Sequence, residues 1–84
     1  MKKIIYQPNA QKALRKMPRN MANLIVSKIE AYATDPASQK NNVIKLKGDG
    51  ALRMRVGDWR VFMDELGNIL DILDVKSRGA AYKK

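Results

Sequence analysis

Leu52-Arg-Met-Arg-Val-Gly-Asp-Trp-Arg-Val-Phe-Met63 alternates apolar and polar residues as far as Val56 and then turns at Gly57-Asp58. A period of two is that of a strand with one buried face, and glycine at the first of two central positions suits a type II′ hairpin. That turn predicts a register. Val56 faces Trp59, Met54 faces Val61 and Leu52 faces Met63, while Arg55 stands opposite Arg60 and Arg53 opposite Phe62 on the other face. Like charges directly opposed across a sheet are unfavourable by up to about 1 kcal/mol, so the arginines require compensation. Two readings stay open. Either the guanidinium groups fan into water or pair with Asp64, Asp74 or the C-terminus, or the surface holds a polyanion, since the planar guanidinium fork matches phosphate oxygens two at a time.

Downstream, Gly67-Asn68 looks like a second turn, followed by Ile69-Leu-Asp-Ile-Leu-Asp-Val75. This run is richer in apolar residues than alternation allows, as expected of a central strand covered on both faces. A two-residue turn would set Asp64 opposite Asp71, whereas a three-residue loop would set Arg60 opposite Asp74 and keep Val61 facing Leu73. The second is the expectation, because it replaces a repulsion with an ion pair. Asp64, Glu65, Asp71 and Asp74 read as the solvated face of this hairpin in preference to a metal site, which needs convergent carboxylates.

Upstream, Lys2 to Tyr6 reads as a short strand, at an edge where Lys2 and Lys3 discourage further pairing. Ala10, Ala13, Leu14 and Met17 form a helical stripe opened by Pro8 and closed near Pro18. Met21, Leu24, Ile25, Ile29, Tyr32 and Ala33 continue it in a second, longer helix that Asp35-Pro36 ends. Residues 37–42 are a polar connector, 43–46 a short strand or its approach, and Gly48-Asp49-Gly50 a turn. The expected architecture is α+β, a single domain over residues 1–84. An N-terminal strand and a two-helix hairpin pack on an antiparallel sheet of about four strands.

Composition restricts what such a domain does. The 84 residues carry 17 Lys and Arg against 8 Asp and Glu, a formal charge of +9, which points to nucleic acid, an anionic membrane surface or an acidic protein. There is no cysteine and no histidine, so disulfides, the usual zinc ligands and the commonest general base are absent. No apolar run is long enough to span a membrane, and Met1-Lys-Lys-Ile-Ile-Tyr does not read as a secretion signal, so a cytoplasmic location is expected. Trp59, beside the turn, reads as a core anchor, Tyr6 and Tyr32 as core-facing, and the scattered methionines as core filler.

Ala-Leu-Arg-Lys-Met-Pro (13–18), Lys-Leu-Lys-Gly (45–48), Leu-Arg-Met-Arg-Val-Gly-Asp-Trp-Arg-Val (52–61) and Asp-Val-Lys-Ser-Arg-Gly-Ala-Ala-Tyr (74–82) occur together and in this order. In this the chain resembles the RelE/ParE superfamily of toxins from type II toxin-antitoxin systems. The resemblance implies a microbial ribonuclease-like fold. It also implies one of two activities: ribosome-dependent cleavage of mRNA, as in RelE-like members, or poisoning of DNA gyrase without nuclease chemistry, as in ParE-like ones. A basic RNA-binding domain without catalysis is a third reading, since fold alone does not select among them.

Carried over position by position, the RelE-type site would use Arg53 and Arg55 on one strand, Arg60 after the turn, and Arg78 and Tyr82 in the tail. Lys45, Lys47, Lys76 and Lys83 would add contacts to RNA. The implied chemistry is attack of a ribose 2′-hydroxyl on the adjacent phosphate, with clustered cations stabilising the charge that develops and no cofactor or metal taking part. Arginine does not release its proton, which leaves Tyr82, with Lys76 behind it, as the titratable groups. The implied partners are a cognate antitoxin together with the ribosome and mRNA, or gyrase in the alternative.

Overall fold

The computed structural model describes residues 1–46, 48 and 50–77. In chain order the elements are β1 (Lys3–Tyr6), α1 (Pro8–Lys16), α2 (Arg19–Thr34), a 3₁₀ turn (Pro36–Gln39), β2 (Val43–Lys45), β3 (Ala51–Val56), β4 (Trp59–Leu66) and β5 (Ile69–Ser77). The strands form one sheet in the order β1-β5-β4-β3-β2.

Local chemistry accounts for the helical half. Pro8 starts α1 within its first turn, where a missing N–H costs nothing, and Arg15 and Lys16 face the negative end of the helix dipole. The N–H of Asp35 closes α2 on the carbonyl of Ala31 at 2.8 Å, and Pro36 stops further winding. Ala10 and Met17 of the first stripe, and Ile25, Ile29, Tyr32 and Ala33 of the second, are buried in one cluster. They meet Leu52, Met54 and Val56 of β3, Val61 and Met63 of β4, and Leu70, Ile72 and Val75 of β5. Both helices therefore cover the same face of the sheet. Trp59, half-buried, packs against this cluster, as an anchor should.

The β3–β4 hairpin has the expected register throughout, including Arg55 opposite Arg60 and Arg53 opposite Phe62. Gly57 has φ +58 and no residue other than glycine has positive φ among the described residues, which is the signature of a type II′ turn.

The sheet and its last hairpin depart from expectation. The sheet has five strands, and it is mixed: β2 completes one edge, and β1 runs parallel to β5 at the other. The helices carry the chain from β1 at one edge to β2 at the other. The β4–β5 connection is the two-residue turn, with Leu66 paired to Ile69 and Asp64 to Asp71. Gly67 there repeats the geometry of Gly57, with φ +59. The hairpin then slips by one residue between Phe62 and Met63, so that Met63 pairs with Ile72 but Phe62 with Asp74. Leu73 is the extra residue of this β-bulge. The slip brings Val75, not Asp74, to the core beside Val61, and the Asp74 carboxylate accepts the N–H of Val75 at 2.8 Å.

The bulge also explains why β5 departs from alternation. Its core positions are Leu70, Ile72 and Val75, spaced two and then three residues apart. The strand is central, yet only one face is fully covered: Ile69 is 37% exposed, and Asp71, Leu73 and Asp74 are half-buried.

The acidic residues of this hairpin are not simply solvated. Glu65 accepts the Tyr32 hydroxyl at 3.1 Å and pairs with Lys2 at 3.2 Å, and Asp71 accepts the Gln7 amide at 2.7 Å. Lys2, beyond guarding an edge, also donates to the Gly67 carbonyl at 2.6 Å. Burial first, then the charge and hydrogen bond of Glu65, push the Tyr32 hydroxyl up to about 12. Burial, followed by the charge of Glu30, raises Tyr6 as well.

Candidate phosphate-binding site

Side chains directly opposite in a ladder share a face, so the register sorts the basic residues. Arg60 is paired with Arg55 on one side and Lys76 on the other. The three cations form a row across β3, β4 and β5 on the face that the helices leave open. Arg53, opposite Ile44 of β2 and Phe62 of β4, begins the next row.

Arg60 differs from its neighbours in burial. It is only 7% exposed, whereas Arg55 and Lys76 are exposed and Arg53 is half-buried. Its Nη1 donates to the carbonyls of Trp59 at 3.1 Å and Gly57 at 3.3 Å. The II′ turn thus presents two oxygens to one guanidinium and fixes its direction. A charge held in place by backbone dipoles needs little reorganisation when an anion arrives, which is the property a phosphate site requires. Lys76 leans towards Asp74, with Nζ and Oδ2 4.0 Å apart.

A cleft of about 180 Å³ lies over the three arginines, lined by Asn41, Asn42, Ile44, Arg53, Arg55 and Arg60. A second adjoins it, bordered by Asn42, Arg55, Gly57, Asp58 and Arg60. Fold and register therefore assemble Arg53, Arg55, Arg60 and Lys76. They do not bring in Lys45, which pairs with the core residue Leu52 and so projects to the helix side of the sheet, bordering a separate cleft with Leu46, Gly50 and Glu65. Lys47, Arg78, Tyr82 and Lys83 lie outside the described residues. Among the described residues no group of three or more His, Cys, Asp or Glu converges on one point.

Sequence reasoning missed Asn41, Asn42 and Asp58 as cleft residues. The turn position of Asp58 was visible beside Arg60. The asparagines carried no such signal, because β2 and its approach reach the arginines only through pairing with β3.

The class defined by these features is a small α+β domain with two helices on one face of a mixed sheet and an arginine-lined cleft on the other. The family described as ParE toxin of type II toxin-antitoxin system, parDE, matches residues 4–82, and the chain belongs to it, within the RelE/ParE superfamily of toxins. Among solved structures, a chain of the archaeal RelE-RelB complex from Pyrococcus horikoshii superimposes with a TM-score of 0.80 at 26% identity, covering 93% of this chain and 96% of that one. The isolated RelE toxin of E. coli gives 0.74 at 15% identity, over 92% and 84% of the two chains. YafQ from E. coli gives 0.73 at 14% identity, over 99% and 100%. No curated protein matches the chain significantly. Among the described residues no helix is long and apolar enough to cross a membrane.

Proposed function

We infer that this toxin inhibits translation by cutting mRNA on the ribosome, with the arginine cleft receiving the scissile phosphate. The observation that carries this reading is the row Arg55, Arg60, Lys76, in which the central guanidinium is buried and aimed by two turn carbonyls. Attack of the 2′-hydroxyl on phosphorus places extra negative charge on the phosphoryl oxygens and then on the departing 5′-oxygen. Arg55 and Arg53 would hold the former, and Arg60, fixed in advance, would stabilise the pentavalent state; preorganised donors of this kind contribute roughly 2.7–4 kcal/mol each. The reaction breaks the P–O5′ bond and leaves a 2′,3′-cyclic phosphate and a 5′-hydroxyl. Arg78 and Tyr82 of the tail would complete the site.

The family description names ParE, which favours a second reading, a gyrase poison without chemistry of its own. One pair of assays separates the two. Purified protein is added to ribosomes carrying a defined message, with primer extension to locate cuts, and in parallel to gyrase with relaxed plasmid. A-site cuts with normal supercoiling support the nuclease; an intact message at high protein concentration overturns it, and failed supercoiling then favours the poison.

Several structural relatives are complexes of a RelE toxin with its RelB antitoxin. By that likeness this chain has a cognate antitoxin, with an acidic or amphipathic segment suited to the +9 charge. A ribosomal target implies a cytoplasmic location.

A further inference from the structure

Gln39 is a neutral side chain only 7% exposed, at the end of a surface 3₁₀ turn, and the arginine chemistry makes no use of it. A buried amide is costly unless its groups are bonded. Its Nε2 donates to Ser38 Oγ at 3.5 Å and its Oε1 accepts from Asn42 Nδ2 at 3.3 Å. The backbone reinforces this link. The N–H of Asn42 donates to the Gln39 carbonyl at 2.9 Å, and the Asn42 carbonyl accepts the N–H of Arg55 at 2.7 Å. Asn42 is therefore anchored on one side by a buried glutamine and on the other by the strand that carries Arg55.

Asn42 borders both clefts, with Arg53, Arg55 and Arg60 around one and Arg55, Asp58 and Arg60 around the other. One amide N–H goes to Gln39, which leaves a second N–H and the Oδ1 acceptor. Guanidinium groups only donate and phosphate oxygens only accept, so an acceptor among arginines gains nothing from an anion. The chemical neighbour of a phosphate that both donates and accepts is a ribose hydroxyl.

We propose that Asn42, positioned by Gln39, reads the ribose 2′-hydroxyl beside the phosphate held by the arginines, and so makes the cleft select RNA over DNA. The proposal rests on the cleft being a ribonucleotide site. A neutral amide does not remove the hydroxyl proton; Asn42 holds the hydroxyl in place, and Gln39 holds Asn42. The role is therefore visible in binding, apart from cleavage.

The test is fluorescence anisotropy of the full chain with a short labelled RNA and its all-2′-deoxy counterpart at one salt concentration. Wild type should bind the RNA roughly five- to tenfold more tightly, the worth of one neutral hydrogen bond. Asn42→Ala should erase that ratio by weakening RNA alone, and Gln39→Met should shrink it with Asn42 still in place. Circular dichroism confirms that each variant is folded, and Asn42→Ser, which keeps a donor and an acceptor, supplies a second variant. Equal losses on both ligands, or a wild type indifferent to the sugar, overturn the proposal and leave the phosphate cleft standing. A wild type that binds neither ligand, with Arg55→Ala no different, overturns the reading of the cleft itself.

Discussion

Arg55 and Arg60 stand directly opposite each other across β3 and β4, at the place in the sheet where like charges repel most. Arg60 is buried and tied to the turn, whereas Arg55 is exposed. The pair is therefore asymmetric: one guanidinium is held by backbone carbonyls and the other is open to solvent.

Arg55→Ala should leave the thermal midpoint unchanged or raise stability by about 0.2–1 kcal/mol, since it removes a cross-strand repulsion. It should also weaken RNA binding and reduce the slope of log K against log salt by about 0.7 for each phosphate that is no longer neutralised. Calorimetry together with anisotropy over a salt series checks both halves. A destabilised variant with unchanged affinity would contradict both.

Arg60→Ala should behave differently. It strips two carbonyls of their donor and empties a buried position, at a cost of about 1–3 kcal/mol in urea unfolding. Arg60→Lys should recover little of that, because an ammonium does not reproduce the planar fork.

Gly50→Ala should be among the most damaging substitutions outside the core. Gly50 has φ +87, and a Cβ there would collide with the Glu65 carbonyl oxygen, on the residue whose N–H donates to Gly50 O at 2.7 Å. Strained backbone alone costs about 1–3 kcal/mol, and the collision adds to it. Equilibrium unfolding of the variant measures the sum, and a destabilisation smaller than about 1 kcal/mol would show that the loop relaxes freely.

Deletion of Leu73 should be tolerated. Without the extra residue, Ile72 still pairs with Met63 and Asp74 with Phe62, so the ladder closes in the same register. The expected destabilisation is about 1 kcal/mol, the burial of half a leucine. Deletion of Leu70, which removes a core residue and shifts its neighbours, should prevent folding.

Alkaline pH should weaken the fold. The Tyr32 hydroxyl rises from 10.0 to about 12, by burial first and then through Glu65, and Tyr6 is raised too. A folded-state value above the unfolded one means that the neutral phenol contributes stability, whole below pH 10 and lost as pH climbs to 12. Urea midpoints measured from about pH 8 to pH 12 should fall across that window, and Tyr32→Phe should flatten part of the decline.

Much of this was legible from local pattern. Gly57-Asp58 specified the hairpin register because the turn type and a period of two leave no freedom once one face is buried. Pro8, Pro18 and Pro36 bounded the helices for equally local reasons. Gly67-Asn68 carries the same turn signal as Gly57-Asp58, and the expected Arg60–Asp74 ion pair would need a longer loop. A surface ion pair is worth too little to override turn geometry, and core demand for Val75 was met by a bulge instead.

The elements, the charge, the arginine hairpin and the family likeness are written in residues close together along the chain. Tertiary structure decided the parallel pairing of β1 with β5, which face each lysine shares, the burial of Arg60, and the arrival of Asn42 beside the arginines. These depend on pairings between residues far apart in the chain, where burial of a whole sheet face outweighs any local preference.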